Sequence, residues 1–263
     1  AKKQFFDNLP SSAFVLTNKD DRNGFVMLQN TKASKYNYSL KAISDFKGKI
    51  IESDLTGLLL EIDGTQAWYG LSGDFNAYNL LGIYAAALLL GEESHEVLIQ
   101  ISALKTAPGR FEQMAGSKNK MGIVDYAHTP DALQQVLTAL RPHVRGQLVC
   151  LFGCGGDRDK SKRPLMGAAL IAGSDVAIFT SDNPRSEDPA QIIKEMVSGL
   201  NRPATSSIEL DRKRAIEIAV AAAKPGDVVI ILGKGHEPGQ EIAGVKHNFD
   251  DRLVLAAAIE ATP

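Results

Sequence analysis

Apolar residues in this chain gather into two kinds of run. Three are short and unbroken: Leu148-Val149-Cys150-Leu151-Phe152, Val176-Ala177-Ile178-Phe179 and Val228-Val229-Ile230-Ile231-Leu232, each running into a polar loop. Runs of this length without polar alternation predict strands buried on both faces, as in a parallel sheet. Between and after them lie segments of helical spacing at 163–172, 189–200, 211–224 and 250–261, the third stopped by Pro225-Gly226. A further strand at 122–126 precedes a helix opened by Thr129-Pro130-Asp131, where threonine caps free amides and proline fits the first turn. Alternating strands and helices predict a doubly wound α/β domain with a mostly parallel sheet.

The pattern upstream is different. A short helix at 1–8 is followed by strand-like segments at 13–17, 36–40, 49–52, 58–62 and 66–71, then by helices at 77–90 and 93–104. Asp63-Gly64 between the last two strands is a hairpin signal, because both residue types tolerate positive φ. The change of character at Pro108-Gly109 predicts two domains, 1–107 and 108–263, with that junction as a hinge.

Composition removes several function classes. A net charge of -2 over 263 residues argues against a broad nucleic-acid surface, which needs a basic excess. The greasiest stretch, 80–90, is interrupted by Gly82 and ends at Gly91-Glu92-Glu93, well short of the roughly 20 apolar residues that span a bilayer. The first residues lack the basic-then-apolar order of a secretory leader. Cys150 and Cys154 read as free thiols in a reducing cytosol, since a Cys-x3-Cys metal site needs two more ligands. The chain opens inside a helical pattern and without methionine, so it is expected to be a piece of something longer.

The polar loops carry the chemistry. Gly153-Cys154-Gly155-Gly156-Asp157-Arg158, Asp182-Asn183-Pro184-Arg185 and Gly233-Lys234-Gly235-His236-Glu237 each follow a predicted parallel strand. Open parallel sheets bind ligands outside the carboxyl ends of their strands, so the three loops are expected to share one rim. Plainer readings compete: Asp182 and Arg185 as a surface ion pair, His236 as a capping or exposed histidine. Gly-Lys-Gly at Lys234 is a weak phosphate-loop signal, and the 153–161 loop lacks the Gly-x4-Gly-Lys-Ser/Thr spacing. Its glycine spacing also fails the dinucleotide fingerprint of a Rossmann dehydrogenase.

Taken together, Asp125-Tyr126-Ala127-His128-Thr129-Pro130-Asp131, Gly153-Cys154-Gly155-Gly156-Asp157-Arg158-Asp159-Lys160, Asp182-Asn183-Pro184-Arg185-Ser186-Glu187-Asp188-Pro189 and Gly233-Lys234-Gly235-His236-Glu237 resemble the Mur ligase family, and the resemblance extends over the whole chain. It implies the last part of a central ATPase α/β domain followed by a complete C-terminal Rossmann-like domain that binds an amino acid. The implied reaction is ATP-dependent amide formation in peptidoglycan biosynthesis, through an acyl phosphate attacked by an amino group. The implied cofactors are ATP and Mg2+. The implied partners are meso-diaminopimelate and a UDP-N-acetylmuramoyl-dipeptide, in a cytoplasmic monomer that engages neither nucleic acid nor membrane.

Site residues follow from the same resemblance. Diaminopimelate carries two carboxylates and two ammonium groups. Arg158 and Arg185 suit the carboxylates, Asp182 and Glu237 suit the ammoniums, and Asn183 with the backbone at Gly233 adds neutral hydrogen bonds. The arginine of Asp-Asn-Pro-Arg implies diaminopimelate rather than lysine. Asn76 and Asn79 are placed near adenine, with a helix N-cap as the plain alternative for Asn76. Arg110 resembles a ribose and phosphate arginine, Asp125 a carboxylate that accepts ribose hydroxyls, and His128 lies beside them. Lys2 resembles a catalytic lysine that, carbamylated, helps hold magnesium. The family's P-loop, its magnesium-binding glutamate and its UDP-binding domain are expected upstream of residue 1, so the chain alone is expected not to ligate. A lysine-adding Mur ligase and a noncatalytic amino-acid-binding module remain the alternatives.

Overall fold

The structure, a computed structural model, describes residues 2–115 and 120–261. Ala1, the first residue of the helix expected at 1–8, lies outside the described residues. The chain divides into two compact units, Ala1–Lys105 and Thr106–Pro263.

The first unit runs α1 (Lys2–Asp7), β1 (Phe14–Asn18), α2 (Gly24–Met27), β2 (Ser34–Ser39), β3 (Phe46–Ser53), β4 (Leu58–Ile62), β5 (Thr65–Tyr69), α3 (Asp74–Leu89) and α4 (Ser94–Ser102). Its sheet has the order β1-β2-β3-β4-β5, parallel across the first three strands and antiparallel across the last pairs. The Asp63-Gly64 turn has φ of +46° and +79°, the left-handed pair that suits a two-residue hairpin. Ala77, Leu80, Leu81 and Tyr84 of α3 share a core with Leu58, Leu60 and Ile62 of β4. Alternate positions of β4 are fully buried, so the helix and the inner face of the strand define each other. Asp20, after β1, accepts hydrogen bonds from the Ser39 hydroxyl, the Leu40 amide and the Tyr78 hydroxyl, which ties two strands to α3.

The second unit contains β6 (Glu112–Ala115), β7 (Met121–Asp125), α5 (Pro130–Leu140), β8 (Leu148–Phe152), α6 (Arg163–Gly173), β9 (Val176–Phe179), α7 (Pro189–Met196), β10 (Ser206–Ile208), α8 (Arg212–Ala222), β11 (Val228–Leu232), β12 (Gln240–Ile242), β13 (Val245–His247) and α9 (Asp251–Ala261). Its main sheet has the order β10-β9-β8-β11-β7-β6 and is parallel except for β6. Every residue of β8 and β11 is buried, as their unbroken apolar runs require. Val149, Leu151, Val229 and Ile231 meet Ala215, Ile216, Ala219 and Val220 of α8 and Leu255 and Ile259 of α9. Thr129, Asp188 and Asp211 cap α5, α7 and α8 through their side chains.

Four features depart from the sequence pattern. Helix α7 ends at Met196, four residues early, and the chain turns through Gly199 at φ +72°. The edge strands β6 and β10 and the antiparallel pair β12–β13 are short and polar or exposed, so no apolar alternation announces them. The short helix α2 is likewise unannounced. The plain alternative for Asn76, a helix N-cap, does not hold: the N-cap is Gly73, and Asn76 lies in the first turn of α3, which starts at Asp74. Among the described residues no helix is long and apolar enough to cross a membrane.

Candidate active site

Loops after β7, β8, β9 and β11 close around a cavity of about 400 Å3 in the second unit. The sequence placed three loops on this rim, and the fourth, after β7, brings Tyr126, His128 and Thr129. All six residues expected to contact the amino acid line this cavity: Arg158, Asp182, Asn183, Arg185, Gly233 and Glu237. Parallel strands whose carboxyl ends stop level with one another make this convergence, because residues far apart in sequence leave the sheet at the same edge.

The loop after β9 is held from both sides. The Gly156 amide donates to the Asn183 carbonyl (2.8 Å), and Arg185 Nη1 donates back to the Gly156 carbonyl (2.7 Å). A Cβ on Gly156 would collide with the Pro184 carbonyl, so only glycine permits this approach. From the other side, the Arg185 amide donates to the Glu241 carbonyl (3.0 Å) and Ala243 donates to the Arg185 carbonyl (2.7 Å). Gln240 Nε2 donates to the Asp182 carbonyl (2.7 Å) and the Glu241 amide to Asn183 Oδ1 (2.9 Å). The unannounced β12–β13 pair is thus the clamp that holds Arg185 at φ +53°, a left-handed conformation that a non-glycine residue adopts only under constraint.

The cavity lining carries charges of both signs. Arg158 is exposed and makes no hydrogen bond or ion pair among the described residues, which leaves its guanidinium available. Arg185 uses Nη1 on Gly156 and places Nε 3.7 Å from Glu241. Asp182 is buried, and burial pushes its carboxyl above the usual range while nearby Arg212 and Lys234 oppose that rise. The expected alternative, a surface ion pair between Asp182 and Arg185, is absent: Asp182 Oδ1 accepts from the Asn183 amide instead. Glu237 receives Asn183 Nδ2 (2.8 Å) and the Tyr126 hydroxyl (3.2 Å).

Two expected ligand groups are already engaged. The Asn183 side chain donates to Glu237 and accepts from Lys234 Nζ (3.2 Å) and the Glu241 amide, so it braces its neighbours. The Gly233 amide donates to the Asp125 carbonyl (3.1 Å), which leaves the Gly233 carbonyl for a ligand. Lys234 is fully buried, bonded to Asn183 and to the Gly239 carbonyl, and burial lowers its pKa. It is an internal brace; the weak phosphate-loop signal around it has no counterpart in its surroundings.

Arg163, which the sequence reading missed, also lines the cavity with 1% exposure. It grips Glu187 through both terminal nitrogens (2.9 and 2.8 Å) and reaches Glu195 (2.6 Å). Arginine so deep needs paired acids. Glu187 and Glu195 are far in sequence, and only the fold reveals them. Cys154 borders the cavity, but burial pushes its thiol up to about 12, and Cys150 is likewise raised, so neither is a nucleophile at neutral pH.

The residues expected to meet a nucleotide are divided. Arg110, Asp125 and His128 lie in the second unit around Tyr126: Arg110 stacks on its ring at 4.6 Å and His128 packs edge-on at 4.8 Å. Asp125 is buried and accepts from the Phe111 and Ala127 amides (both 2.8 Å), a structural duty that the sequence did not announce. His128 also lines the cavity. His236 lies outside the cavity lining and packs 5.8 Å from the Tyr126 ring.

Asn76 and Asn79 lie in α3 of the first unit. There Asn79 Nδ2 donates to Asn76 Oδ1 (3.1 Å), and Asn76 Nδ2 donates to the Ser72 carbonyl (2.7 Å). Lys2 is exposed at the head of α1. Among the described residues no group of three or more His, Cys, Asp or Glu is arranged to hold a metal ion. A carbamate on Lys2 would be one donor without a coordination sphere, so these residues by themselves do not fit magnesium.

Two family models match this chain. The family model Mur ligase middle domain matches residues 1–87, and the model Mur ligase, glutamate ligase domain matches residues 109–235. A protein of Phocaeicola vulgatus named UDP-N-acetylmuramoyl-L-alanyl-D-glutamate--2,6-diaminopimelate ligase is 49% identical over 259 residues, covering 97% of this chain and 54% of that protein. A protein of the same name from Parabacteroides distasonis is 51% identical over 260 residues, covering 97% and 53%. A solved structure bearing that name is 37% identical with a TM-score of 0.63, covering 94% of this chain and 53% of the other. The chain spans about half the length of the curated relatives it matches.

Proposed function

Because the chain belongs to the Mur ligase family, we propose that it forms the amino-acid-binding part of an ATP-dependent ligase that joins meso-diaminopimelate to UDP-N-acetylmuramoyl-L-alanyl-D-glutamate. The observation that carries this reading is the cavity itself, where two guanidiniums, Arg158 and Arg185, and two carboxylates, Asp182 and Glu237, line one space. A molecule with two carboxylates and two ammonium groups is the charge complement of that set. The names of relatives that match nearly the whole chain support the same assignment.

In this reading the chain's residues bind and orient. Arg158 and Arg185 receive carboxylates, Asp182 and Glu237 receive ammoniums, and the Gly233 carbonyl accepts a further N–H. Asn183 works indirectly, by holding Glu237. Holding both ends of the amino acid would set the position of the amino group that forms the new bond once it has lost its proton, the entropic part of such catalysis.

The face of Tyr126 with Arg110, Asp125 and His128 suits a nucleoside, and in the first unit Asn76 and Asn79 offer amides suited to a base. ATP, when bound in the whole enzyme, would activate the acceptor carboxylate as an acyl phosphate. The sequence has no phosphate loop of Gly-x4-Gly-Lys-Ser/Thr spacing, and the described residues offer magnesium no donor set beyond the carbamate proposed for Lys2. This chain alone is therefore expected to bind without ligating.

Calorimetric titration with meso-diaminopimelate and with L-lysine tests the reading. Diaminopimelate binds, lysine binds much more weakly, and Arg185→Ala removes the difference. Equal affinity for the two would favour the lysine-adding alternative, and ligation by the isolated chain would overturn its assignment as a binding part.

A further inference from the structure

Tyr126 lies in a motif that the sequence singled out, and the proposed function uses its ring face while leaving its hydroxyl without a role. Its surroundings are unusually complete for a side chain in a loop. Arg110 covers its ring at 4.6 Å, His128 meets it edge-on at 4.8 Å, and His236 lies at 5.8 Å on a tilted plane. His128 is held in turn by Nδ1 at 2.8 Å from the Tyr126 carbonyl. Gly235 reinforces the arrangement from below: a Cβ there would lie 2.9 Å from the Tyr126 Cβ and ring. With the ring held by these neighbours, its hydroxyl has a set direction, and it donates to Glu237 Oε1 at 3.2 Å.

Glu237 is only half-enclosed, with 36% of its side chain exposed, and it stands in a loop without regular structure. Left to itself, a glutamate so placed samples several rotamers. Here each carboxylate oxygen has its own neutral donor: Tyr126 on Oε1 and Asn183 Nδ2 on Oε2. The nearest cation, Lys234, stands 3.7 Å from Oε2, with its shorter bonds directed to Asn183 and the Gly239 carbonyl. The charge of Glu237 is therefore oriented without being neutralised by a close ion pair, which is the state needed to receive a ligand ammonium.

We infer that Tyr126 is a positioning residue of this site, whose hydroxyl orients the Glu237 carboxylate toward the cavity for a substrate ammonium. The inference rests on the proposed amino-acid site and deepens it. It also gives the aromatic hub a second duty, because the ring that aims Glu237 is covered by Arg110 and met edge-on by His128, the residues proposed for the nucleoside.

The test is the affinity of the chain for meso-diaminopimelate, read by ligand-observed NMR, in a double-mutant cycle of Tyr126→Phe and Glu237→Asp. Phenylalanine keeps the ring contacts and removes the donor; aspartate keeps the charge and withdraws it from the hydroxyl. Tyr126→Phe is expected to weaken binding about fivefold in the parent chain, the size of one lost hydrogen bond, and less than twofold in the Glu237→Asp background, with the thermal midpoint unchanged. No weakening in the parent chain, or the same factor in both backgrounds, would overturn the inference while leaving the diaminopimelate site standing. A parent chain that does not bind diaminopimelate would overturn the site and the inference together.

Discussion

Arg212 and Asp251 meet in a bidentate ion pair with no exposure on either side chain, Nε to Oδ1 and Nη2 to Oδ2 both at 2.7 Å. The guanidinium also donates to the Ser181 and Leu232 carbonyls (both 3.1 Å), the residues directly before Asp182 and Gly233. One buried arginine thus joins the start of α8, the start of α9, the loop after β9 and the end of β11. Removing one partner strands the other charge, so Asp251→Asn or Arg212→Met is expected to lower stability by about 3–5 kcal/mol. Urea unfolding reads this directly, and the double variant Arg212→Met with Asp251→Leu should recover most of the loss.

Gly156→Ala is expected to fail at a different level. The added methyl meets the Pro184 carbonyl, a backbone atom that cannot rotate away. The loops after β8 and β9 must separate, so affinity for diaminopimelate should fall more than tenfold, for about 1–3 kcal/mol of stability. Unchanged affinity would mean that the two loops are free to move apart without loss.

Acid should act through Glu187. Hydrogen bonds from Arg163 and Lys160, and one from the Asp157 amide, hold its carboxyl far below the usual value of 4.5. A group whose folded pKa is depressed contributes stability that is fully present above its unfolded pKa and is lost as pH falls toward the folded one. Stability measured by urea should therefore decline below about pH 4.5, and Glu187→Gln should flatten that decline while lowering stability at neutral pH.

The β12–β13 clamp predicts a variant that separates binding from stability. Gln240→Ala removes the bond to the Asp182 carbonyl from a partly buried side chain. The global unfolding free energy should change by about 1 kcal/mol, while the Arg185 loop loses one of its restraints and affinity for diaminopimelate drops several-fold. Equal affinity before and after would show that the remaining contacts to Asn183 and Arg185 suffice.

Legibility in the sequence followed local physics. Strands β8, β9 and β11 were readable because burial on both faces leaves uninterrupted apolar runs, and the loops after them because their glycines and charges stand where a parallel sheet opens. The cap of α5 was readable, since Thr129 acts on an amide three residues away, whereas the caps Asp188 and Asp211 of α7 and α8 were not picked out, Asp211 being counted as part of its helix. What else escaped was decided at a distance. Arg212 looks like a surface residue of an alanine-rich helix until Asp251, 39 positions later, is folded against it. Asn183 reads as a ligand group until Lys234 and Glu241 claim its carbonyl. The hairpin that positions Arg185 is exposed and polar, and polar exposed strands leave no periodic trace.

The order of strands in the second unit differs from their order along the chain, and biosynthesis must contend with that. During synthesis β7, β8, β9 and β10 all emerge before β11, yet β11 occupies the slot between β7 and β8. Until it arrives, the nascent sheet consists of two ladders with no hydrogen bonds joining them, each with an apolar edge awaiting the same late segment. A ribosome paused before residue 228 would therefore hold a chain with most of its charged loops made and no shared rim on which to set them. On the proposed function, recognition should switch on abruptly with the last strands and their hairpin, so that an incomplete polypeptide would neither titrate the amino acid nor compete for it with finished copies.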